Sequence, residues 1–221
     1  MIITKTPFRM SFFGGGTDME DYFEENGGAV LSTTFDKYCY VNVRHLPRFF
    51  DYSSELTYSK MERVKDTDDI KHPAIREAMK FLDMQEIRLT YEADLPARSG
   101  LGTGSSFAVG MLNAFYALKG KYADKKKLAD EAIYLERVLC NEAGGWQDQI
   151  AASFGGFNRI NFNTDGTYDV LPVIISPERK QHLNNNLMMF FTGFTRFSSE
   201  VQKANNVSGS EEKRVRLKKM Y

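Results

Sequence analysis

The chain has 221 residues, 42% hydrophobic and 26% charged, enough to bury a sizeable core in one domain or two small ones. Lysine plus arginine balances aspartate plus glutamate at 29 each, so no overall field selects for nucleic acid or an anionic membrane. No apolar run approaches the roughly 20 residues that span a bilayer, no signal-peptide core follows Met1, and Cys39 and Cys140 lack metal-ligand spacing, so a cytoplasmic protein with free thiols is expected.

In chain order, residues 3–13 alternate as a strand and run into Gly14-Gly15-Gly16-Thr17-Asp18. An acidic helix over 18–25 should stop at Gly27-Gly28. Residues 30–46 read as one or two strands, 50–70 as a hairpin and loop, 73–82 as a helix opened by Pro73, and 86–93 as a strand. A helix near 105–118 is apolar almost all round, which predicts a buried central position. Residues 125–140 form an amphipathic helix with Leu128, Ala132, Leu135 and Leu139 as its core stripe. A short helix near 146–153 comes next, then strands over 157–162 and 168–175 joined at Thr164-Asp165-Gly166, and a buried strand over 187–191. Strands and helices mix without strict alternation, so the fold class is α+β.

The most informative stretch is Pro96-Ala97-Arg98-Ser99-Gly100-Leu101-Gly102-Thr103-Gly104-Ser105-Ser106. Glycines at 100, 102 and 104 allow positive φ and close approach to a ligand, and successive amides in such a turn make an anion-binding concavity. The helix beginning there adds free N–H donors and its positive dipole end, and Ser105 and Ser106 add hydroxyls. An ordinary strand-to-helix turn with serine caps is the competing reading. The stretch is neither a Walker A loop, which needs a lysine after its glycines, nor a G-x-G-x-x-G fingerprint.

Two acids stand out elsewhere. Glu136 lies about 80° from the apolar stripe of its helix and so borders the buried face. Asp148 sits near a helix start among small residues. Singly, each reads as well as a solvated flank or an N-terminal cap. Together with the loop they suit phosphoryl transfer, which needs a phosphate cradle, a cation and a means to orient the acceptor hydroxyl. A serine and a carboxylate can hold Mg²⁺, a second carboxylate can take the acceptor's proton, Arg9 can sit beside that carboxylate, and Asp18 can bind sugar hydroxyls.

These residues in this order resemble the GHMP kinase superfamily. Thr6-Pro7-Phe8-Arg9 running into Gly14-Gly15-Gly16-Thr17-Asp18 is similar to its first motif. The loop from Pro96 to Ser106 is similar to its second, and Glu136 with Asp148 twelve residues later matches the spacing of its magnesium glutamate and catalytic aspartate. The resemblance implies a ribosomal protein S5 domain 2-like N-terminal domain over 1–178 and the start of an incomplete α+β C-terminal domain over 179–221. It implies ATP and Mg²⁺ as cofactors, Ser105 and Glu136 as metal ligands, and Asp148 with Arg9 as catalytic residues. Pro96, Gly100, Leu101, Gly102, Thr103, Gly104, Ser105 and Ser106 would bind the nucleotide phosphates.

Within the superfamily, Phe12 to Asp18, Ser105 to Gly110 and Thr192 to Arg196 are most similar to the heptose 7-phosphate kinases. That implies transfer to the anomeric C1 hydroxyl of a heptose 7-phosphate for surface-polysaccharide precursors, with Gly15, Gly16, Thr17, Asp18 and Arg196 on the sugar. Lys5, Arg98 and Arg196 are candidates for its phosphate. Fucokinase-like and glucuronokinase-like enzymes share much of the pattern, a diphosphomevalonate-type decarboxylase uses the same cradle, and a non-catalytic binding protein is the rival of another class. Gly15-Gly16 replace the Glu-His pair of galactokinases, Thr103-Gly104 stand where serine is usual, and the third, glycine-rich motif is absent from these residues. The cation's hydroxyl thus stays open among Thr103, Ser105 and Ser106. The expected partners are ATP and a sugar phosphate, without nucleic acid or membrane, and the oligomeric state stays open between monomer and homodimer.

Overall fold

The computed structural model describes residues 1–97, 99–190 and 217. Strand β1 (Ile2–Phe13) pairs antiparallel with the long β2 (Gly28–His45) over nearly its whole length. The other edge of β2 is shared. Its C-terminal half pairs with β5 (Ile87–Ala93) and its N-terminal half with β6 (Phe157–Phe162). β3 (Ser54–Thr57) lies parallel to β5, the hairpin partner β4 (Met61–Val64) forms one border, and β7 (Tyr168–Pro172) forms the border beyond β6. The seven-stranded mixed sheet and its helices make the α+β class expected from the sequence.

The helices are α1 (Glu20–Asn26), α2 (Pro73–Phe81), α3 (Thr103–Leu118), α4 (Lys125–Tyr134), α5 (Gln147–Phe154) and α6 (Pro177–Asn185). α3 is apolar all round because it is enclosed. Met111, Leu112 and Phe115 are fully buried against Val41, Val43 and Leu89 of the sheet. A smaller cluster joins Phe23, Val30, Ile150, Ile160 and Phe162 under α5. Thr4 pins α3 to β1 by donating to the Gly110 carbonyl at 2.8 Å. α3 thus starts beside the middle of β1, and α5 lies next to it.

Two expectations change. The helix over 125–140 does not stay α-helical: from Leu135 to Leu139 it widens into a π turn closed by the Cys140 N–H on the Leu135 carbonyl at 2.9 Å. Residues 187–190 are not a buried strand. No described strand offers them a ladder, and Leu187, Met188, Met189 and Phe190 are exposed; Phe191 lies outside the described residues. The expected boundary after residue 178 falls in the first turn of α6, a helix with no buried residue.

Candidate active site

Arg9 is the junction of the site. β1 slips register against β2 between Pro7 and Arg9, a bulge that keeps both Phe8 and Arg9 away from open solvent. The Arg9 guanidinium grips Asp148 as a fork, Nε to Oδ1 at 2.7 Å and Nη2 to Oδ2 at 2.8 Å, with the two side chains 15% and 25% exposed. Burial opposes the Arg9 charge, but Asp148, with a smaller contribution from Asp18, outweighs it and raises the guanidinium above its ordinary value. Arg9 also holds the glycine loop: its backbone N–H donates to the Leu101 carbonyl at 3.2 Å and Nη1 to the Gly100 carbonyl at 3.1 Å.

The loop turns through positive φ at Gly100 and Gly102 (78° and 73°), and Gly102 caps α3 in the left-handed region. A Cβ on Gly102 would lie 3.0 Å from Arg9 Cγ and 3.6 Å from Asp148 Oδ2, so loop, cation and acid meet at one point. The helix starts at Thr103, two residues earlier than expected, and Gly104 is therefore helical rather than a third positive-φ turn. No side chain caps this helix start, which leaves first-turn N–H groups for an anion. Pro96 is exposed at the entrance, and Arg98 lies outside the described residues.

The two serines diverge. Ser106 is fully buried and donates to the Pro7 carbonyl at 2.9 Å, tying α3 to β1. Ser105 donates to Glu136 Oε2 at 2.8 Å. Glu136, in the π turn, is 4% exposed, and burial pushes its carboxyl up to about 7 against the opposing pull of Arg137 and Ser105. Its Oε2 also accepts from Gln149 Nε2 and lies 3.4 Å from Arg137 Nη2. The buried Gln149 Oε1 and Arg137 Nε have no partner among the described residues. Serine and carboxylate oxygens with an orphaned amide oxygen beside them suit a hard divalent cation. Among the described residues no cluster of three or more His, Cys, Asp or Glu could hold a metal alone, so such a cation would also need phosphate oxygens.

The glycine turn of the first motif lies on the other side of Asp148. Thr17 is fully buried, and its hydroxyl lies 2.8 Å from the Gly14 carbonyl and accepts from the Ala29 N–H, so it builds the turn. Gly15 faces Gln147, whose Nε2 is 3.9 Å from where a Cβ would sit, and Gly16 packs near Leu217. Asp18 is 2% exposed, accepting from Gly16 N–H at 2.9 Å and Gln147 N–H at 3.3 Å. Burial and the nearby Asp148 charge raise its carboxyl above the usual range, against those two amides. The structure gives both Thr17 and Asp18 backbone partners. Arg196 lies outside the described residues, and Lys5 sits 3.8 Å over the Tyr38 ring.

Sequence reasoning missed Gln149, Arg137 and the Ser11–Gln147 pair, in which the Ser11 hydroxyl donates to Gln147 Oε1 at 2.6 Å. A glutamine directly before Ile150-Ala151-Ala152 was a usable sign of a buried polar contact.

Residues 70–156 match the family described as the GHMP kinases N terminal domain. A heptose 7-phosphate kinase of Campylobacter jejuni is 29% identical over 91% of this chain, which spans 62% of that relative's length. A bifunctional fucokinase/GDP-fucose pyrophosphorylase of Arabidopsis thaliana is 24% identical over 88% of this chain and 20% of its own. The crystal structure of a D-glycero-D-manno-heptose 1-phosphate kinase from Bacteroides thetaiotaomicron superposes with a TM-score of 0.71 at 25% identity, covering 80% of this chain and 61% of that one.

Proposed function

We propose, from the match of residues 70–156 to the GHMP kinases N terminal domain, that the chain belongs to an ATP-dependent sugar kinase acting on the anomeric C1 hydroxyl of a heptose 7-phosphate. The observation that carries the reading is the Arg9–Asp148 fork standing against the Gly100–Gly102 turn, with Ser105 and Glu136 paired at the helix start behind it.

Free amides at the start of α3 bind the β- and γ-phosphate oxygens. Ser105 and Glu136 would hold Mg²⁺, which would supply positive charge against the phosphate oxygens. Asp148 accepts the hydroxyl proton, so that the sugar oxygen attacks phosphorus while ADP leaves. Arg9 fixes both Asp148 oxygens in direction and lays its charge beside the transferring group. This reading assigns Gly15 and Gly16 to the acceptor, and Gly15 faces Gln147, the residue before Asp148. A fucokinase-like specificity has the Arabidopsis relative in its favour.

The test is ADP release with heptose 7-phosphate, fucose, glucuronate and mevalonate 5-diphosphate as acceptors, beside calorimetric ATP binding. Heptose 7-phosphate should give the highest kcat/KM, and Asp148→Asn should lower turnover by about 10²–10⁴-fold with ATP affinity nearly unchanged. ATP binding without ADP release on any acceptor would refute transfer, and preference for fucose would move the substrate.

A further inference from the structure

We propose that Asp18 and Gly145 form a latch that sets the position of Asp148, making Asp18 a positioning residue. The inference rests on the kinase reading for the role of Asp148.

Asp148 lies in the first turn of α5, and that turn has free N–H groups that must find acceptors. The residue at its N-cap, Trp146, supplies no side-chain cap. Asp18 does so from a separation of 129 residues: Oδ2 accepts the Gln147 N–H, and its main-chain carbonyl accepts the Trp146 N–H at 3.2 Å. Oδ1 meanwhile holds the Gly16 N–H, so one buried side chain ties the glycine turn to the start of α5. Each oxygen of the carboxylate thereby holds one backbone N–H.

Gly145 is the matching half. A Cβ there would lie 1.9 Å from Asp18 Oδ2 and 2.4 Å from its Cγ, so any side chain at 145 would evict the carboxylate. Asp18 reaches the α5 amides only because this position is glycine. With the latch closed, Gln147 is fixed, Asp148 comes one residue later, and its two oxygens meet the Arg9 fork. With the latch open, the first turn of α5 loses its acceptors and Asp148 loses its direction.

Asp18→Asn keeps the shape but replaces one acceptor oxygen with a donor facing a backbone N–H. Hydrogen exchange at the Gln147 amide, whose acceptor is the Asp18 side chain, should quicken about tenfold, with the α3 amides as the folded reference. In the same protein kcat should fall about 10–100-fold while KM for the sugar phosphate stays within about twofold. Gly145→Ala should reproduce both effects. Adding Asp18→Ser, which clears space while keeping an acceptor, should restore part of the loss, a non-additive cycle that two unconnected sites would not give. Unchanged exchange in Asp18→Asn, additive effects in the cycle, or a tenfold higher KM for sugar at unchanged kcat would overturn the latch; the last would make Asp18 a substrate contact. A wild-type protein without turnover would instead defeat the kinase reading, while the exchange measurements would still decide whether the latch exists.

Discussion

Replacing Glu136 by glutamine tests the electrostatics of the site without requiring catalysis. The Glu136 carboxyl is held in the π turn at 4% exposure, and burial lifts it from its ordinary 4.5 to about 7. A carboxyl that binds its proton more tightly when folded than when unfolded adds stability that is complete below about pH 4.5 and is lost as the pH rises through about 7. At 1.36 kcal/mol per pH unit, the shift corresponds to roughly 3 kcal/mol of stability surrendered between pH 4.5 and pH 8. Glutamine keeps an acceptor oxygen for Ser105 and Gln149 and has no proton to lose. The assay is urea unfolding from about pH 4.5 to about pH 8 in the presence of a chelator. The wild-type curve should fall toward high pH by roughly 3 kcal/mol more than that of Glu136→Gln. Subtracting the two removes contributions common to both, among them His72, which burial shifts downward, and Asp18, which burial shifts upward. Parallel curves would mean that Glu136 is solvated or already paired, and the buried cation site would have to be abandoned.

The two loop serines should separate cleanly. Ser105→Ala should raise the Mg²⁺ concentration needed for nucleotide binding about 10–100-fold with little effect on stability, read by calorimetric titration. Ser106→Ala strands the Pro7 carbonyl and should cost about 1 kcal/mol in urea unfolding while leaving the Mg²⁺ dependence alone. Gly102→Ala forces a side chain into φ +73° and against Arg9, so it should cost roughly 1–2 kcal/mol and depress turnover as well. Arg9→Lys replaces a two-pronged fork with a point charge and releases the Gly100 carbonyl; single-turnover phosphate transfer should slow about 10²-fold, with the acceptor's KM nearly constant.

The glycine loop was legible because its conformation is written into residue type: positive φ at 100 and 102 comes from glycine, and the helix after it from an unbroken apolar run. The strands β1, β2, β5 and β6 were legible for a similar reason, alternation being a local property. Over 187–190 the expected strand does not form among the described residues, because β structure is completed by a partner and apolar residues alone do not supply one.

Glu136 shows a subtler limit. A regular 3.6-residue repeat sets it at the edge of the apolar stripe, yet it is almost wholly buried. It lies inside a π turn, closed by the Cys140 N–H on the Leu135 carbonyl, where the 3.6-residue repeat no longer holds. No count along the chain reveals that turn, nor the Ser105 and Gln149 side chains that meet the carboxylate from two other helices. Asp18 is harder still: its residue type fits a sugar contact as well as a helix cap, and the amides it holds lie across a gap of 129 residues. The balance is tipped by Gly145, a residue with no chemistry of its own, whose missing Cβ lets the carboxylate in. Residues that bear chemistry could thus be named from the sequence, whereas the residues that aim them are found only where the chain has folded back on itself.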